Sequence, residues 1–430
     1  MRFDLLHPAD QIVMIMQRIY AYGMTTTSGG NLSIRDENGD VWITPAGVDK
    51  GSLARRDIVR VAPDGVATGP HRPSSELPFH LSIYARRPDL RAILHAHPPA
   101  LVAFSIVRKV PQTNLIPNVQ EICGPVAYAS YALPGSDALG EAIASVFAEG
   151  VDTVLLENHG IVLGAADLFR AFMAFETLDF CARLEIGARR MGTPRPLGPE
   201  KLALTAPRRQ QAVPTFVPGE TKSLERAARR EMCELVHRAY DQQLVTSTQG
   251  TFSQRLEGTS FVITPFGLDR KYLEPADLVR VENGRAEAGK TPSRSVNLHR
   301  RIYEMQPAVG AVIIAHPPSA MVFAVTETAF DSRTIPESYI LLRDVPRLPF
   351  GANLMDVDRA AATLSIRNPV VVLENDSLMF AGTTLLNAFD RLEVAEYSAR
   401  AIIAARELGD IVAIGAPQVE ELVAAFNLDR

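Results

Sequence analysis

Cysteine is scarce and long apolar runs are missing. The 430-residue chain has three cysteines and one tryptophan, and no hydrophobic stretch approaches the ~18 residues a membrane span needs. Cys123, Cys181 and Cys233 lack metal-type spacing and cannot all pair internally, so neither a disulfide framework nor a thiolate metal site is expected. Reduced, buried thiols are expected instead. Net charge is -5 and neither sign gathers into a long run, which argues against nucleic acid or an anionic membrane as partner. A small-molecule substrate fits better. The opening "MRFDLLHPADQIV" carries acidic residues where a secretory signal would be apolar, so a cytoplasmic location is expected.

What is present is ordinary globular material, 47% hydrophobic and 22% charged, over a length that accommodates two cores. Its chemistry gathers in histidines. "ILHAHPP" holds His95 and His97, "LENHGIVLG" holds His159, and "RPSSELPFH" holds Glu76. Residues two apart on a strand project from one face, so the His95 and His97 rings can converge on a point. Three neutral imidazoles leave a divalent ion its full charge and, in a tetrahedral arrangement, an open position for water or substrate. That suits a catalytic Lewis acid more than a closed structural site. Zn2+ is the default ion; Fe2+, Mn2+ and Co2+ suit the same donors.

The chain also repeats itself. "VWITPAGVDKGSLARRDIVRV" returns as "FVITPFGLDRKYLEPADLVRV", "LHAHPPA" as "IAHPPSA", and "LLENHGIVLG" as "VLENDSLMFA". Matches in one order at a nearly constant offset mean a duplicated domain. The boundaries read as 1–190 for a metal-binding domain, 191–221 for a Pro- and Gly-rich linker, and 222–430 for the second copy. Across the repeat, His95 meets Ile314, His97 meets His316, His159 meets Asp376, Glu76 meets Ser295, Ser75 meets Arg294 and Asn31 meets Thr251. The scaffold persists while the chemical groups change. This asymmetry locates a site in the first half and predicts no equivalent metal site in the second.

Each half reads as mixed α/β. An opening helix is expected at roughly 8–22, strands at "NLSIR", "VWITP", "AILHAH" and "TVLLEN", and a closing helix from about 166 to 190. Asn38-Gly39 predicts a two-residue hairpin, with Glu257-Gly258 in the matching place. Ser74 or Ser75 is a candidate N-cap with Glu76 in the first helical turn, where free N–H groups suit a phosphate or carboxylate; a plain cap is the alternative. Asn31 and Gly47 fall at strand ends, where glycine lets backbone approach a ligand. His80 has a counterpart in His299 and reads as structural. Phe169, Phe172, Phe175 and Phe180 run at helical spacing and read as core.

"GGNLS", "TPAG", "SSE", "HAHPP" and "ENHG", in this order, resemble the class II aldolase/adducin family, which includes fuculose-phosphate and ribulose-phosphate-type aldolases and epimerases. The resemblance covers roughly 5–190 and 225–410. It implies two tandem α/β/α domains, each a largely antiparallel central sheet flanked by helices, the second degenerate. It also implies Zn2+ on His95, His97 and His159, Glu76 as the acid/base group, and Gly30, Asn31, Gly47, Ser74 and Ser75 as substrate-binding positions. Two departures stand out. Ala46 precedes Gly47 where those aldolases tend to use threonine, and Glu121 stands where they tend to carry a tyrosine proton donor.

The expected function is a divalent-metal-dependent lyase. It would perform retro-aldol cleavage or decarboxylation of a small hydroxy or keto acid or sugar derivative, through an enediolate stabilised by the cation. The alternatives are an Fe(II)-dependent oxygenase on the same three-histidine scaffold and an adducin-like, non-catalytic interaction protein. Fourfold assemblies among family aldolases imply a homo-oligomer, such as a dimer forming a pseudo-fourfold ring, or a higher assembly.

Overall fold

The structure, a computed structural model, describes residues 3–205 and 213–428. It separates into two compact units, residues up to 113 with 118–183, and 114–117 with 184 onward. No helix among the described residues is long and apolar enough to cross a membrane.

The first half runs α1 (Pro8–Ala21), β1 (Asn31–Arg35), β2 (Val41–Ile43), β3 (Val59–Val61), β4 (Ala67–Thr68), α2 (Leu77–Arg86), β5 (Ala92–Ala96), α3 (Pro99–Ile106), α4 (Pro117–Cys123), β6 (Val126–Ala129), α5 (Asp137–Ala148), β7 (Thr153–Leu156), β8 (Ile161–Ala165) and α6 (Leu168–Met191). Its eight-stranded sheet is ordered β4-β3-β2-β1-β5-β8-β7-β6. Every pairing is antiparallel except β6 with β7. Alternation along the strands gives the sheet two apolar faces. Ile43, Val59, Ile93, Val154 and Val162 pack with Phe79 and Ile83 of α2 and Leu139, Ile143 and Phe147 of α5. The intervening Leu32, Ile34 and Leu94 are also buried, as are Ile12, Ile15 and Ile19 of α1. Of the aromatic stripe, Phe172, Phe175 and Phe180 are buried and Phe169 is half-buried.

The second half continues with α7 (Pro199–Ala203), β9 (Thr215–Phe216), α8 (Ser223–Asp241), β10 (Thr251–Arg255), β11 (Phe261–Ile263), β12 (Val279–Glu282), β13 (Arg285–Glu287), α9 (Val296–Met305), β14 (Ala311–Ala315), α10 (Pro336–Leu342), β15 (Arg347–Leu348), α11 (Ala352–Met355), α12 (Val357–Thr363), β16 (Val370–Leu373), β17 (Ser377–Gly382), α13 (Leu385–Leu408) and α14 (Ala416–Ala425). Its sheet, β15-β16-β17-β14-β10-β11-β12-β13-β9, repeats the first order with β9 added at one edge. The registers coincide as well. Asn31 faces His95 across β1 and β5, and Thr251 faces Ile314 across β10 and β14.

Two expectations need correction. The turn at Asn38-Gly39 is not a two-residue hairpin: Asp36 N–H donates to Asp40 O, and Gly39 alone takes a left-handed φ of +86°. That leaves three residues in the loop, the turn-plus-bulge form. The helix after Ser74 starts later than read, at Leu77, with Glu76 at the N-cap and no side-chain cap. Ser74 belongs to the extended segment before the helix, where its N–H donates to Thr44 O beside the Pro45–Pro73 bridge. The segment 191–221, expected as a linker, holds α7 and the edge strand β9, which pairs in parallel with β13; its residues 206–212 lie outside the described residues.

Candidate active site

His95 is the fourth residue of β5, buried beneath the ring edge of Phe79 with centroids 5.6 Å apart. His97 lies just past the strand's end and His159 in the turn joining β7 to β8. Asn158, at φ +53°, bends that turn so that His159 N–H donates to Leu156 O at 3.2 Å. The chain therefore brings its three histidines together from two neighbouring strand ends. Their ligand nitrogens all lie within 4.8 Å of one another.

These imidazoles suit a cation in protonation as well as position. His95 Nδ1–H donates to Ile161 O at 2.9 Å, which leaves Nε2 as the lone-pair nitrogen facing His97 Nε2 at 2.9 Å. Burial, and secondarily the nearby His159, pushes His95 down to about 3. His97 is pushed to about 3 as well, by burial and then by the two other rings. His159 is lowered by burial, with Glu76 pulling the other way. Neutral imidazoles at physiological pH are what a divalent ion requires.

Glycine makes room for them. A Cβ on Gly160 would come within 2.6 Å of both His97 Cδ2 and Ala96 O, and one on Gly30, itself at φ +70°, within 2.9 Å of His95 O. Gly30 is thus a spacer against β5. A ligand-facing glycine and a spacer look alike in sequence.

Glu76, at the N-cap of α2, lies beside the three histidines. Its Oε2 is 3.4 Å from His95 Nε2 and its Oε1 3.9 Å from His159 Nε2. Asn31 Nδ2 donates to Glu76 Oε2 at 2.6 Å, so this candidate substrate-binding residue holds the carboxylate. Ser74 Oγ accepts from Glu76 N–H at 3.3 Å. The Pro45–Pro73 bridge sets the Gly47 loop beside Ser74; Gly47 takes φ +67°, and Ser75 is exposed.

Sequence reading missed one participant. His80, read as structural because His299 matches it, places Nε2 2.5 Å from Asn31 Oδ1 and Nδ1 2.7 Å from Ser33 Oγ. The available signal was its spacing, four residues after Glu76 on one helix face.

The second half keeps the frame with different groups. Ile314 replaces His95, and Asp376 accepts from Asn353 Nδ2 at 3.2 Å and from Ser377 Oγ at 2.8 Å. Among the described residues, the grouping able to hold a metal ion is that of His95, His97 and His159.

The Class II Aldolase and Adducin N-terminal domain matches residues 10–186 and again 230–403, and the chain belongs to that family, with two tandem copies. It is 32% identical over 203 residues to 5-deoxy-D-ribulose 1-phosphate aldolase of Bacillus thuringiensis serovar kurstaki, covering 45% of this chain and 91% of that one. It is 33% identical over 176 residues to L-fuculose phosphate aldolase of Methanococcus maripaludis (40% and 93%). It is 31% identical over 177 residues to 3-oxo-tetronate 4-phosphate decarboxylase of Haemophilus influenzae (40% and 84%). All three relatives are lyases by name.

Proposed function

We propose that the chain is a divalent-metal-dependent lyase. It cleaves or decarboxylates a small hydroxy or keto acid or a sugar derivative, with Zn2+ held by His95, His97 and His159. The observation that carries this reading is the convergence of three neutral imidazoles with the Glu76 carboxylate 3.4 Å from one of them. A bound divalent cation would polarise adjacent substrate oxygens and offset the charge that develops as a C–C or C–H bond breaks. Glu76 would take up and return the proton, being close enough to the ligand nitrogens to meet the same substrate atoms. Asn31 would hold that carboxylate in place, and Gly47, Ser74 and Ser75 would form the wall that receives the substrate's anionic group, with Gly30 letting the backbone before Asn31 lie close against β5. Aldolase and decarboxylase relatives support both leaving groups, and their names all carry a phosphate ester.

The second half, with Ile314, Asp376 and Ser295 at the key positions, is read as non-catalytic. Assembly of two chains into a pseudo-fourfold ring and a cytoplasmic location complete the reading; sedimentation velocity tests the former. The central experiment purifies the chain with and without air, measures its metal content, and scores CO2 against aldehyde release from hydroxy acids and sugar phosphates. About one Zn2+ per chain and a turnover lost in Glu76→Gln are expected. Full activity in Glu76→Gln would refute the acid/base assignment, and iron in the air-free preparation would refute zinc.

A further inference from the structure

We propose that His80 is a positioning residue for Glu76, acting through Asn31; the inference rests on the acid/base role given to Glu76 above. Five side chains form one buried line. Tyr84 Oη lies 2.8 Å from Ser33 Oγ, Ser33 Oγ 2.7 Å from His80 Nδ1, His80 Nε2 2.5 Å from Asn31 Oδ1, and Asn31 Nδ2 2.6 Å from Glu76 Oε2.

The charged end sets the direction of every bond in this line. A carboxylate oxygen only accepts, so Asn31 must present its NH2 to Glu76 and its carbonyl to His80. An amide oxygen also only accepts, so His80 must carry its proton on Nε2 and accept on Nδ1. Ser33 then donates to His80, and Tyr84 gives its one hydroxyl proton to Ser33 at 2.8 Å in preference to Arg91 O at 3.4 Å. Were the Asn31 amide to turn over, its oxygen would face the carboxylate oxygen and its NH2 would face the protonated His80 nitrogen. The first contact would be repulsive, and the second would have to be relieved by moving the His80 proton to Nδ1 and reversing the Ser33 and Tyr84 hydroxyls, so the Nε2–H form of His80 belongs to the unflipped amide alone. His80 therefore locks the one Asn31 orientation that holds Glu76 beside His95 and His159.

The second half shows which part of the line is mere scaffold. Ser253 Oγ lies 2.6 Å from His299 Nδ1 and 2.7 Å from Tyr303 Oη, the same trio at nearly the same distances. There it stops. Thr251 replaces Asn31 and its hydroxyl lies 2.6 Å from Ser293 Oγ, Ser295 replaces Glu76, and His299 Nε2 makes no hydrogen bond among the described residues. The Tyr–Ser–His trio serves the fold in both halves, and only in the first is it extended to an acid/base carboxylate.

The test uses the full chain labelled with 15N-histidine, in which long-range 1H–15N spectra report each tautomer. His80 is expected with its proton on Nε2, and Asn31→Leu is expected to shift the His80 nitrogen signals while leaving those of His299 in place. A proton on Nδ1 of His80, or His80 signals indifferent to Asn31→Leu, would overturn the proposal. A second measurement loads the chain with Co2+. His80→Asn reaches Ser33 but not Asn31, so it should alter the Co2+ absorption bands by releasing the Glu76 carboxylate that lies 3.4 Å from His95 Nε2. His80→Gln, which restores a donor at the Nε2 position, and His299→Asn should stay near the parent chain. Unchanged bands in both His80→Asn and Asn31→Leu would also overturn the proposal. If the parent chain binds no Co2+, the metal-lyase reading falls, and the His80 tautomer with its response at Asn31 still decides the relay.

Discussion

His95 donates its Nδ1–H to the carbonyl oxygen of Ile161 across the β5–β8 pairing, at 2.9 Å, and so turns a fully buried imidazole's remaining lone pair toward His97 and His159. Sheet register thereby fixes a tautomer. His95→Ala removes the imidazole oriented by that backbone hydrogen bond, and on the proposed metal site bound metal should fall from about one ion per chain to near zero. His316→Ala, in a half where Ile314 stands at the position of His95, should leave metal content unchanged. Elemental analysis after gel filtration of both variants checks this, and stoichiometric metal in His95→Ala would show the site to be misassigned.

Gly160→Ala is expected to damage the site without touching a ligand. The added methyl would lie 2.6 Å from His97 Cδ2 and from Ala96 O, and backbone cannot yield that much space cheaply. Overpacking of this kind costs roughly 1–3 kcal/mol, and a displaced His97 ring should weaken metal binding by about 10–100-fold. Urea unfolding and chelator competition measure the two effects. Gly198→Ala, where a Cβ meets nothing within 4 Å, is the control and should behave as the parent.

How much of this was legible in the sequence depends on how far each signal reaches along the chain. The period-2 strands and the duplicated motifs are local or repeated patterns, and they gave β1, β5 and the tandem repeat; the structure brings His95, His97 and His159 together. The start of α2 was misread because its competitor is tertiary: Ser74 pairs with Thr44, which no local rule sees. The two- and four-residue strands β9 and β6 carry too few residues to show a period. His80 is the instructive case. Its match to His299 argued for a structural role, and the trio with serine and tyrosine agrees; the difference between the halves lies one residue further out, at Asn31 against Thr251. Comparing residues one at a time hides a change of partner.

The three thiols should be silent in the folded chain. Cys123, Cys181 and Cys233 are all buried and none is in a disulfide. Burial pushes the Cys123 thiol up to about 12, and burial with the nearby Asp277 pushes Cys233 to about 12 as well. Because the thiolate is the reactive form, a disulfide reagent at pH 8 should find no fast-reacting group in native protein and three after denaturation. One thiol reacting at the rate of a free peptide cysteine would contradict the packing of its helix.

Acid should destabilise the chain in part through His299, and the sign follows from its surroundings. The ring is fully buried against Ser253, and burial lowers it from an ordinary 6.5 to about 3 in the folded state. Below pH 6.5 the unfolded chain binds a proton at this position that the folded chain does not, so stability rises with pH there and is lost as pH falls from 6.5 toward 3. The slope from one such group approaches about 1.4 kcal/mol per pH unit within that window and vanishes above it. His299→Leu removes the titrating group while keeping an apolar side chain in the pocket. It should be less stable than the parent at pH 7.5, because Ser253 loses a partner, yet show the shallower decline in unfolding free energy between pH 6.5 and 4.5. Guanidinium titrations at a series of pH values compare the two slopes, and parallel lines would mean that His299 is charged in the folded chain or solvated well beyond what its packing allows.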